Sequence, residues 1–215
     1  MRNHNRVFRP LRGGIEIFNP RVARPGTLGM IATSDGVDRW IVSCFHVLCT
    51  PDQAADPIYQ PIDDPDKLVA AVDPGRADRA ADLAAARVTG GMDAVAEILG
   101  LPPIGAPLEP EEGMRVLKSG AVTGVTEGVV TLATPARVEI ELLDLPSDYE
   151  LSDEGDSGAV WVTRAGARPV ALHQGGAVSP RRLAYGRAYP EVLRLLRLQP
   201  VQALVQAAPS SAAVK

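Results

Sequence analysis

The stretch EGDSGAVWV, residues 154–162, holds a serine in a setting that suits a nucleophile. Ser157 lies between Asp156 and Gly158, with Gly155 one place earlier, so the backbone can turn tightly before it enters an apolar run. Such a turn can direct the backbone amides of Gly155 and Ser157 at one point, where they would stabilise a developing oxyanion. A serine hydroxyl also needs a neighbouring base to take its proton. Ser157 is therefore a candidate nucleophile if the chain supplies that base.

The chain has three histidines from which that base can come. His46 lies at the end of the apolar run IVSCFH, where a strand leaves the core, and it is the candidate general base. His173, in VALHQGG, ends another apolar run, whereas His4 lies near the amino terminus and is assigned no role. A structural histidine bonded to the backbone is the alternative for both His46 and His173, and the sequence alone leaves it open.

An imidazole base needs a carboxylate that holds its tautomer and stabilises its charged form. Asp82 directly precedes the apolar run LAAARV, and a carboxylate that enters an apolar strand is costly unless it has a partner. Asp78 is the alternative, but the residues around it, RADRA, are polar and typical of a loop. The predicted catalytic residues are therefore His46, Asp82 and Ser157.

Strands must position these residues, because short apolar or alternating runs dominate the chain. Gly, Pro, Asp and Asn punctuate runs such as GGIEIF, WIVSCFHVL, GVVTLAT and RPVALHQGG, a pattern typical of all-β barrels and sandwiches. The segment DRAADLAAARV is also compatible with an alanine-rich helix. Near the carboxyl end, PEVLRLLRLQPVQALVQAA changes to helical spacing, with Pro190 suited to the first turn and Pro200 to a kink or break.

The turn-rich segments divide the chain into two β lobes. Residues 90–112 are rich in Pro and Gly and mostly unpatterned, so they are predicted to connect the lobes. The predicted parts are a flexible amino-terminal segment (1–12), a first β-barrel (13–89), the connection (90–112), a second β-barrel (113–188), a helix (189–206) and a disordered tail (207–215).

Composition limits the partners and cofactors. The net charge of -4 gives no general attraction to nucleic acid or to anionic membranes. No run approaches the length of a membrane span, and the basic stretch MRNHNRVFRPLRGG lacks the apolar segment of a secretion signal, so the expected location is the cytoplasm. Cys44 and Cys49 bracket His46 without the paired spacing of a zinc site. We therefore expect two reduced, buried thiols, no metal and no cofactor.

Several segments resemble the chymotrypsin-like (trypsin-fold) serine peptidases, in particular leaderless bacterial members. The matching segments are GTLGMIA, VSCFHVL around His46, DLAAARV at Asp82 and GDSGAVWV at Ser157. VLKSGAVTGVTEGVV resembles the strand pair that opens the second barrel of these peptidases, and VALHQGG resembles the strand that lines their substrate pocket. The resemblance covers most of residues 13–188. It implies an all-β fold of two six-stranded antiparallel β-barrels with the triad in the cleft between them, followed by a C-terminal α-helix.

The resemblance implies a serine endopeptidase that cleaves protein or peptide substrates through an acyl-enzyme. The alternatives are a non-catalytic or latent protein of this fold that binds peptides or partner proteins, and a peptidase that cleaves only itself or one partner after a regulatory protein activates it. Relatives activated by cleavage begin with an Ile-Val-Gly-Gly-like terminus that pairs with the Asp before the serine. The segment RGGIEI is a poor substitute, so Asp156 is expected to need another partner.

The resemblance also implies substrate-binding residues. Leu151, six residues before the nucleophile, takes the position of the pocket floor, where an aspartate would favour Arg or Lys. His173, before the pocket glycines that include Gly175, and Ser152, five residues before the nucleophile, match glutamate-specific relatives. The predicted P1 preference is therefore acidic, with His173 supplying hydrogen bonds or positive charge to the substrate carboxylate.

Overall fold

Nearly all the regular structure of the protein is β-strand. The computed structural model describes residues 6–52, 55–61, 64–142, 150–177 and 182–201. The strands of the first lobe are β1 (Leu11–Gly13), β2 (Glu16–Asn19), β3 (Arg24–Thr27), β4 (Met30–Thr33), β5 (Trp40–Ser43), β6 (Pro57–Tyr59), β7 (Leu68–Asp78), β8 (Leu83–Val88) and β9 (Ala94–Ile98). Those of the second are β10 (Arg115–Gly120), β11 (Gly124–Ala133), β12 (Val138–Glu141), β13 (Val160–Thr163), β14 (Pro169–Gly176) and β15 (Leu183–Ala188). The remaining elements are α1 (Phe45–Leu48), a 3-10 turn (Pro65–Lys67), α2 (Tyr189–Leu196) and β16 (Gln199–Pro200).

The second lobe is a closed barrel, as predicted. Its six strands run in the order β10-β11-β12-β15-β14-β13, and every neighbouring pair is antiparallel. Closure removes both free sheet edges, and the inward side chains form one apolar core. Trp161 is the largest side chain in that core and is fully buried.

The predicted double-barrel fold is confirmed, but the first lobe is a half-barrel with more than the six predicted strands. It is an open, curled sheet of eight strands in the order β16-β4-β5-β8-β7-β6-β2-β3. The sheet is open because its two end strands, β16 and β3, do not pair with each other. Strand β16 belongs to the part of the chain that follows the second lobe. Strands β1 and β9 form a separate parallel pair. Residues 11 and 12 and residues 94–98 therefore lie in strands, although they fall in the predicted flexible segment and the predicted connection.

The segment DRAADLAAARV contains a strand and not a helix. Strand β8 pairs with β5 on one side and β7 on the other, and Ala84, Ala85 and Ala86 are fully buried. Hydrogen bonds on both sides and a place in the core outweigh the helix propensity of alanine. Asp82 immediately precedes this central strand.

The C-terminal helix is present, but it is shorter than predicted. Helix α2 ends at Leu196 because Arg197 takes a left-handed conformation (φ 53°), and the amide of Leu198 then donates to the carbonyl of Leu193. Strand β16 follows and pairs with β4 of the first lobe. Residues 202–215, which include the predicted tail, lie outside the described part. Within the described part, no helix is long and apolar enough to cross a membrane.

Candidate active site

The ends of two neighbouring strands bring His46 and Asp82 together. His46 lies in α1 directly after β5, and Asp82 directly before β8, which pairs with β5. The Nδ1 of His46 lies 2.8 Å from Oδ2 of Asp82, and the backbone amide of His46 donates to Oδ1 at 3.0 Å. The two side chains are 48% and 32% exposed, so the pair lies at a cleft wall and not in the core. Asp82 can therefore hold the imidazole with its proton on Nδ1 and leave Nε2 free to accept one.

Asp78, the alternative acid, has a different contact. Its carboxylate accepts a hydrogen bond from the amide of Ala81 at 2.9 Å and so closes the turn between β7 and β8. Asp82 itself takes a left-handed backbone conformation (φ 54°) at the end of this turn. Of the two candidate carboxylates, the structure brings only Asp82 to His46.

Gln174 connects Asp82 to Ser157 across the two lobes. Its Nε2 donates to the carbonyls of Ala81 (2.7 Å) and Asp82 (3.3 Å). The backbone carbonyl of Gln174 accepts a hydrogen bond from the hydroxyl of Ser157 at 3.4 Å. Gln174 therefore fixes the position of the turn that carries Asp82 relative to strand β14, which contacts the serine. Gln174 could not be predicted from the sequence, because an amide side chain that contacts only backbone leaves no motif there.

Two glycines give the serine turn its shape. Gly155 and Gly158 have φ of 99° and 95°, which disfavour any residue with a side chain. A Cβ at Gly158 would collide with Oγ of Ser43 and the carbonyl of Thr27, and one at Gly155 would lie 2.7 Å from Cγ2 of Val122. The amides of Gly155 and Ser157 donate to no other residue in the described part of the chain. Both are therefore available to a ligand in the cleft.

Thr27 of the first lobe fixes this turn from outside. Its amide donates to the carbonyl of Ser157 at 2.9 Å, and its hydroxyl donates to the carbonyl of Gly155 at 2.8 Å. The same hydroxyl accepts from the amide of Ala121 at 3.0 Å. Two peptide units of the serine turn are thus anchored by one residue of β3, so the lobes and the turn are held together.

Asp156 has an internal partner, Lys118. Both side chains are fully buried, and Nζ of Lys118 lies 2.8 Å from Oδ2 of Asp156. Asp156 also accepts hydrogen bonds from the amides of Val122 (3.0 Å), Thr123 (3.1 Å) and Asp153 (3.2 Å), and from the Thr123 hydroxyl (2.6 Å). Burial alone would raise the pKa of Asp156, but the charge of Lys118 and these hydrogen bonds hold it below its ordinary value. Asp156 was expected to need a partner other than a free amino terminus, and Lys118 of β10 is that partner.

A cavity of about 230 Å³ lies beside Ser157. Ser152, His173 and Gly175, three of the predicted substrate-binding residues, line it, but Leu151 does not. Leu151 is fully buried in the core of the second barrel, where its apolar side chain packs. The other lining residues, which the sequence did not single out, are Asp153, Glu154, Gly176, Ala177 and Tyr185.

His173 is neutral at physiological pH. Its side chain is almost completely buried, and burial, followed by the charge of Lys118, lowers its pKa to about 3. Its ring meets Trp161 edge to face at 6.0 Å, and its Nδ1 has no hydrogen-bond partner among the described residues. Of the two roles predicted for His173 in binding a carboxylate, the low pKa of the unliganded protein favours the hydrogen bond over the positive charge.

The buried His173 should make the fold sensitive to acid. Because its pKa is near 6.5 when unfolded and about 3 when folded, its contribution to stability is complete above pH 6.5 and is lost as pH falls from 6.5 toward 3. We expect the free energy of unfolding of wild type to fall more between pH 7 and pH 4 than that of His173→Gln. Urea unfolding of both proteins at the two pH values measures this difference, and equal losses would contradict the assignment.

One group of side chains in the described part could hold a metal ion. Atoms of Cys44, His46 and Asp82 lie within 4.8 Å of one another. Burial, followed by the charge of Asp82, raises the pKa of the Cys44 thiol well above its usual value, so a metal ion would have to displace a firmly held proton to bind there. Cys44 and Cys49 are both free and buried, as predicted.

The fold is shared with solved structures of bacterial proteases. No family model and no curated protein matches the chain. Thermobifida fusca protease A has 17% identity and a TM-score of 0.67, covering 90% of this chain and 99% of its own. Nocardiopsis protease has 15% identity and a TM-score of 0.63, covering 88% and 97%. A glutamic acid specific serine protease described as using a histidine triad in substrate binding has 19% identity and a TM-score of 0.68, covering 88% and 100%. The chain therefore has the double-lobed fold of the chymotrypsin-like bacterial serine proteases.

Proposed function

We propose that the protein is a serine endopeptidase that hydrolyses peptide bonds through an acyl-enzyme on Ser157. The observation that carries this proposal is the pair of hydrogen bonds from His46 to Asp82 at the wall of the cleft that Ser157 also lines. A side chain so placed is oriented to act as a base on the serine hydroxyl.

In the proposed reaction, Nε2 of His46 takes the hydroxyl proton as Oγ of Ser157 bonds to the substrate carbonyl carbon. The amides of Gly155 and Ser157 donate to the oxyanion that forms, and Asp82 stabilises the imidazolium. The imidazolium then gives its proton to the leaving amine, and the carbon–nitrogen bond breaks. Water, activated by the same imidazole, hydrolyses the acyl-enzyme and restores the serine.

The resting contact of Ser157 supports a second candidate, a latent or purely binding protein. The hydroxyl donates to the carbonyl of Gln174, and the structure gives no hydrogen bond between Ser157 and His46, both of which it describes. For catalysis, the hydroxyl has to exchange the Gln174 carbonyl for Nε2 of His46 as its acceptor. Activity measurements separate a hydroxyl that makes this exchange during turnover from one that does not.

We expect wild type to cleave unfolded protein substrates, and Ser157→Ala and His46→Ala each to lose measurable turnover while they remain folded. Mass spectrometry of the products, with circular dichroism of each variant, tests this. The same spectra test self-cleavage, since clipping present in wild type and absent from Ser157→Ala is the protein's own. Equal cleavage by wild type and Ser157→Ala would mean that another protease is responsible.

We also propose an acidic P1 preference, based on the hydroxyl of Ser152 and the imidazole of His173 in the cavity beside Ser157. This binding differs from a histidine triad. The chain has three histidines, of which His46 contacts Asp82 and His4 lies outside the described residues, so His173 is the only histidine in the described lining. A substrate carboxylate would be held by neutral hydrogen-bond donors. The carboxylates of Asp153 and Glu154 line the same cavity and favour the competing specificity, a basic P1 residue.

The variant Glu154→Gln distinguishes the two specificities by the sign of its effect. If P1 is acidic, removing a like charge should raise kcat/KM for a P1 Glu peptide by about 5-fold, the size of a solvated ion-pair interaction. If P1 is basic, the same change should lower kcat/KM for a P1 Arg peptide. The measurement compares matched peptides with Glu, Gln and Arg at P1. Faster cleavage after Arg than after Glu by wild type would contradict the acidic preference.

A further inference from the structure

A second cavity lies on the other side of Ser157. It has a volume of about 410 Å³ and is lined by Arg24, Pro25, His46, Val47, Glu154, Gly155 and Ser157. It shares only Ser157 and Glu154 with the cavity that holds His173. If the first cavity takes the acyl side of the scissile bond, as the proposed function requires, the second takes the leaving-group side.

The charges that line the two cavities differ. Asp153 and Glu154 line the first, whereas Arg24 and Glu154 line the second, together with His46. Because Glu154 lines both cavities, the two linings differ in that the first has the anion Asp153 and the second has the cation Arg24. The field on the leaving-group side is therefore more favourable to an anionic side chain than the field on the acyl side.

Arg24 is a cation on a fixed backbone with an uncommitted side chain. It begins β3, the edge strand of the first sheet, and pairs with Asn19 of β2. Asn19 is fully buried, and its side-chain amide donates to the carbonyl of Leu48 at 2.7 Å. In contrast, Arg24 is exposed, and its guanidinium makes no hydrogen bond or ion pair with any residue that the structure describes. A guanidinium placed this way can bind a carboxylate that enters the cleft.

We propose that Arg24 selects substrates with an acidic side chain at P1′ or P2′, the first two residues after the scissile bond. This inference rests on the proposed function and adds a second determinant, independent of the residue at P1. Glu154 opposes the selection, because its carboxylate lines the same cavity. The preference is electrostatic and solvent-exposed, so it should weaken as ionic strength rises.

The experiment uses quenched-fluorescence peptides that share the P1 residue wild type prefers and carry Glu, Gln or Lys at P1′ or P2′. We expect wild type to show a kcat/KM about 5-fold higher with Glu than with Gln at one of these positions, and a lower value with Lys. Arg24→Gln should abolish the difference between Glu and Gln, and Arg24→Glu should invert the order of Glu and Lys. Arg39→Gln is the matched control, because Arg39 bonds to backbone carbonyls of its own turn and lines neither cavity. It should retain the wild-type order.

The outcomes separate this inference from the proposed function. Cleavage by wild type without a charge preference at P1′ or P2′, or a preference that survives in Arg24→Gln, overturns the role of Arg24 and leaves the peptidase intact. Absence of cleavage of every peptide, with Ser157 inert to a serine-directed probe, overturns both. A preference lost equally in Arg24→Gln and Arg39→Gln would assign it to the net charge of the lobe, which also overturns the inference.

Discussion

Asp82→Asn is expected to slow peptide hydrolysis by about 10⁴ and to leave the protein folded. The carboxylate accepts two hydrogen bonds from one residue, the backbone amide of His46 at Oδ1 and the imidazole at Oδ2. In the asparagine variant, the amide oxygen can keep the bond to the backbone amide, and the NH2 group then faces Nδ1. Nδ1 must become the acceptor, so the proton moves to Nε2, the atom that has to receive the serine proton. The fold survives because the backbone contact survives.

The matched control for this variant is Asp78→Asn. Asp78 lies in the same turn and accepts from the amide of Ala81 through an oxygen that asparagine also has. Its activity should therefore stay close to that of wild type. Single-turnover hydrolysis of an ester and steady-state cleavage of a peptide, with melting temperatures for both variants, measure the contrast. Near-wild-type turnover in Asp82→Asn, or a large loss in Asp78→Asn alone, would show that Asp82 is not the orienting acid.

Lys118→Met is expected to have the largest effect on stability, because it leaves Asp156 buried without a counter-charge. Removing one partner of a buried ion pair typically costs about 3–5 kcal/mol. The same carboxylate also accepts the amides of Val122 and Thr123, which lie opposite the turn of Gly155. The expected result is therefore a lower free energy of unfolding and a loss of peptide turnover as the serine turn rearranges.

The double variant Lys118→Met with Asp156→Asn tests this explanation. It removes both charges and keeps an oxygen acceptor for the amides, so it should be more stable than Lys118→Met alone. The pH dependence supplies a second check. In wild type the depressed pKa of Asp156 stabilises the fold above the ordinary Asp pKa, and the contribution is lost as pH falls through the folded value. In Lys118→Met burial raises that pKa, so its deficit should shrink on acidification. A Lys118→Met protein as stable as wild type would contradict the assignment.

The sequence could predict the residues whose chemistry is local. The glycines at 155 and 158 permit the tight turn that the sequence predicts around Ser157, and both take a positive φ in the structure. Asp82 could be preferred to Asp78, because a carboxylate at the start of an apolar strand needs a partner. The alternation and turn residues also predicted the all-β fold, and β8 became a strand because it lies between two other strands.

Residues that act through long-range contacts could not be identified in this way. Gln174 matters because its side chain crosses to the carbonyls of Ala81 and Asp82, more than ninety positions earlier in the chain. Leu151 was predicted to line the pocket from its distance to Ser157 in the sequence, but its apolar side chain packs in the core of the second barrel. The partner of Asp156 did leave a signal: Lys118 alternates with Val116 on one face of a predicted strand, and a lysine that faces the core of a barrel needs a counter-charge.

Labelling of Ser157 by a fluorophosphonate tests the central claim most directly, because the probe reacts with a serine that a neighbouring base activates. Intact-mass and peptide mapping of folded wild type should show one adduct, on Ser157. Ser157→Ala should show none, and Asp82→Asn should react far more slowly. Folded wild type that remains unlabelled at Ser157, under conditions that label a known serine protease completely, would contradict the proposal of a serine endopeptidase.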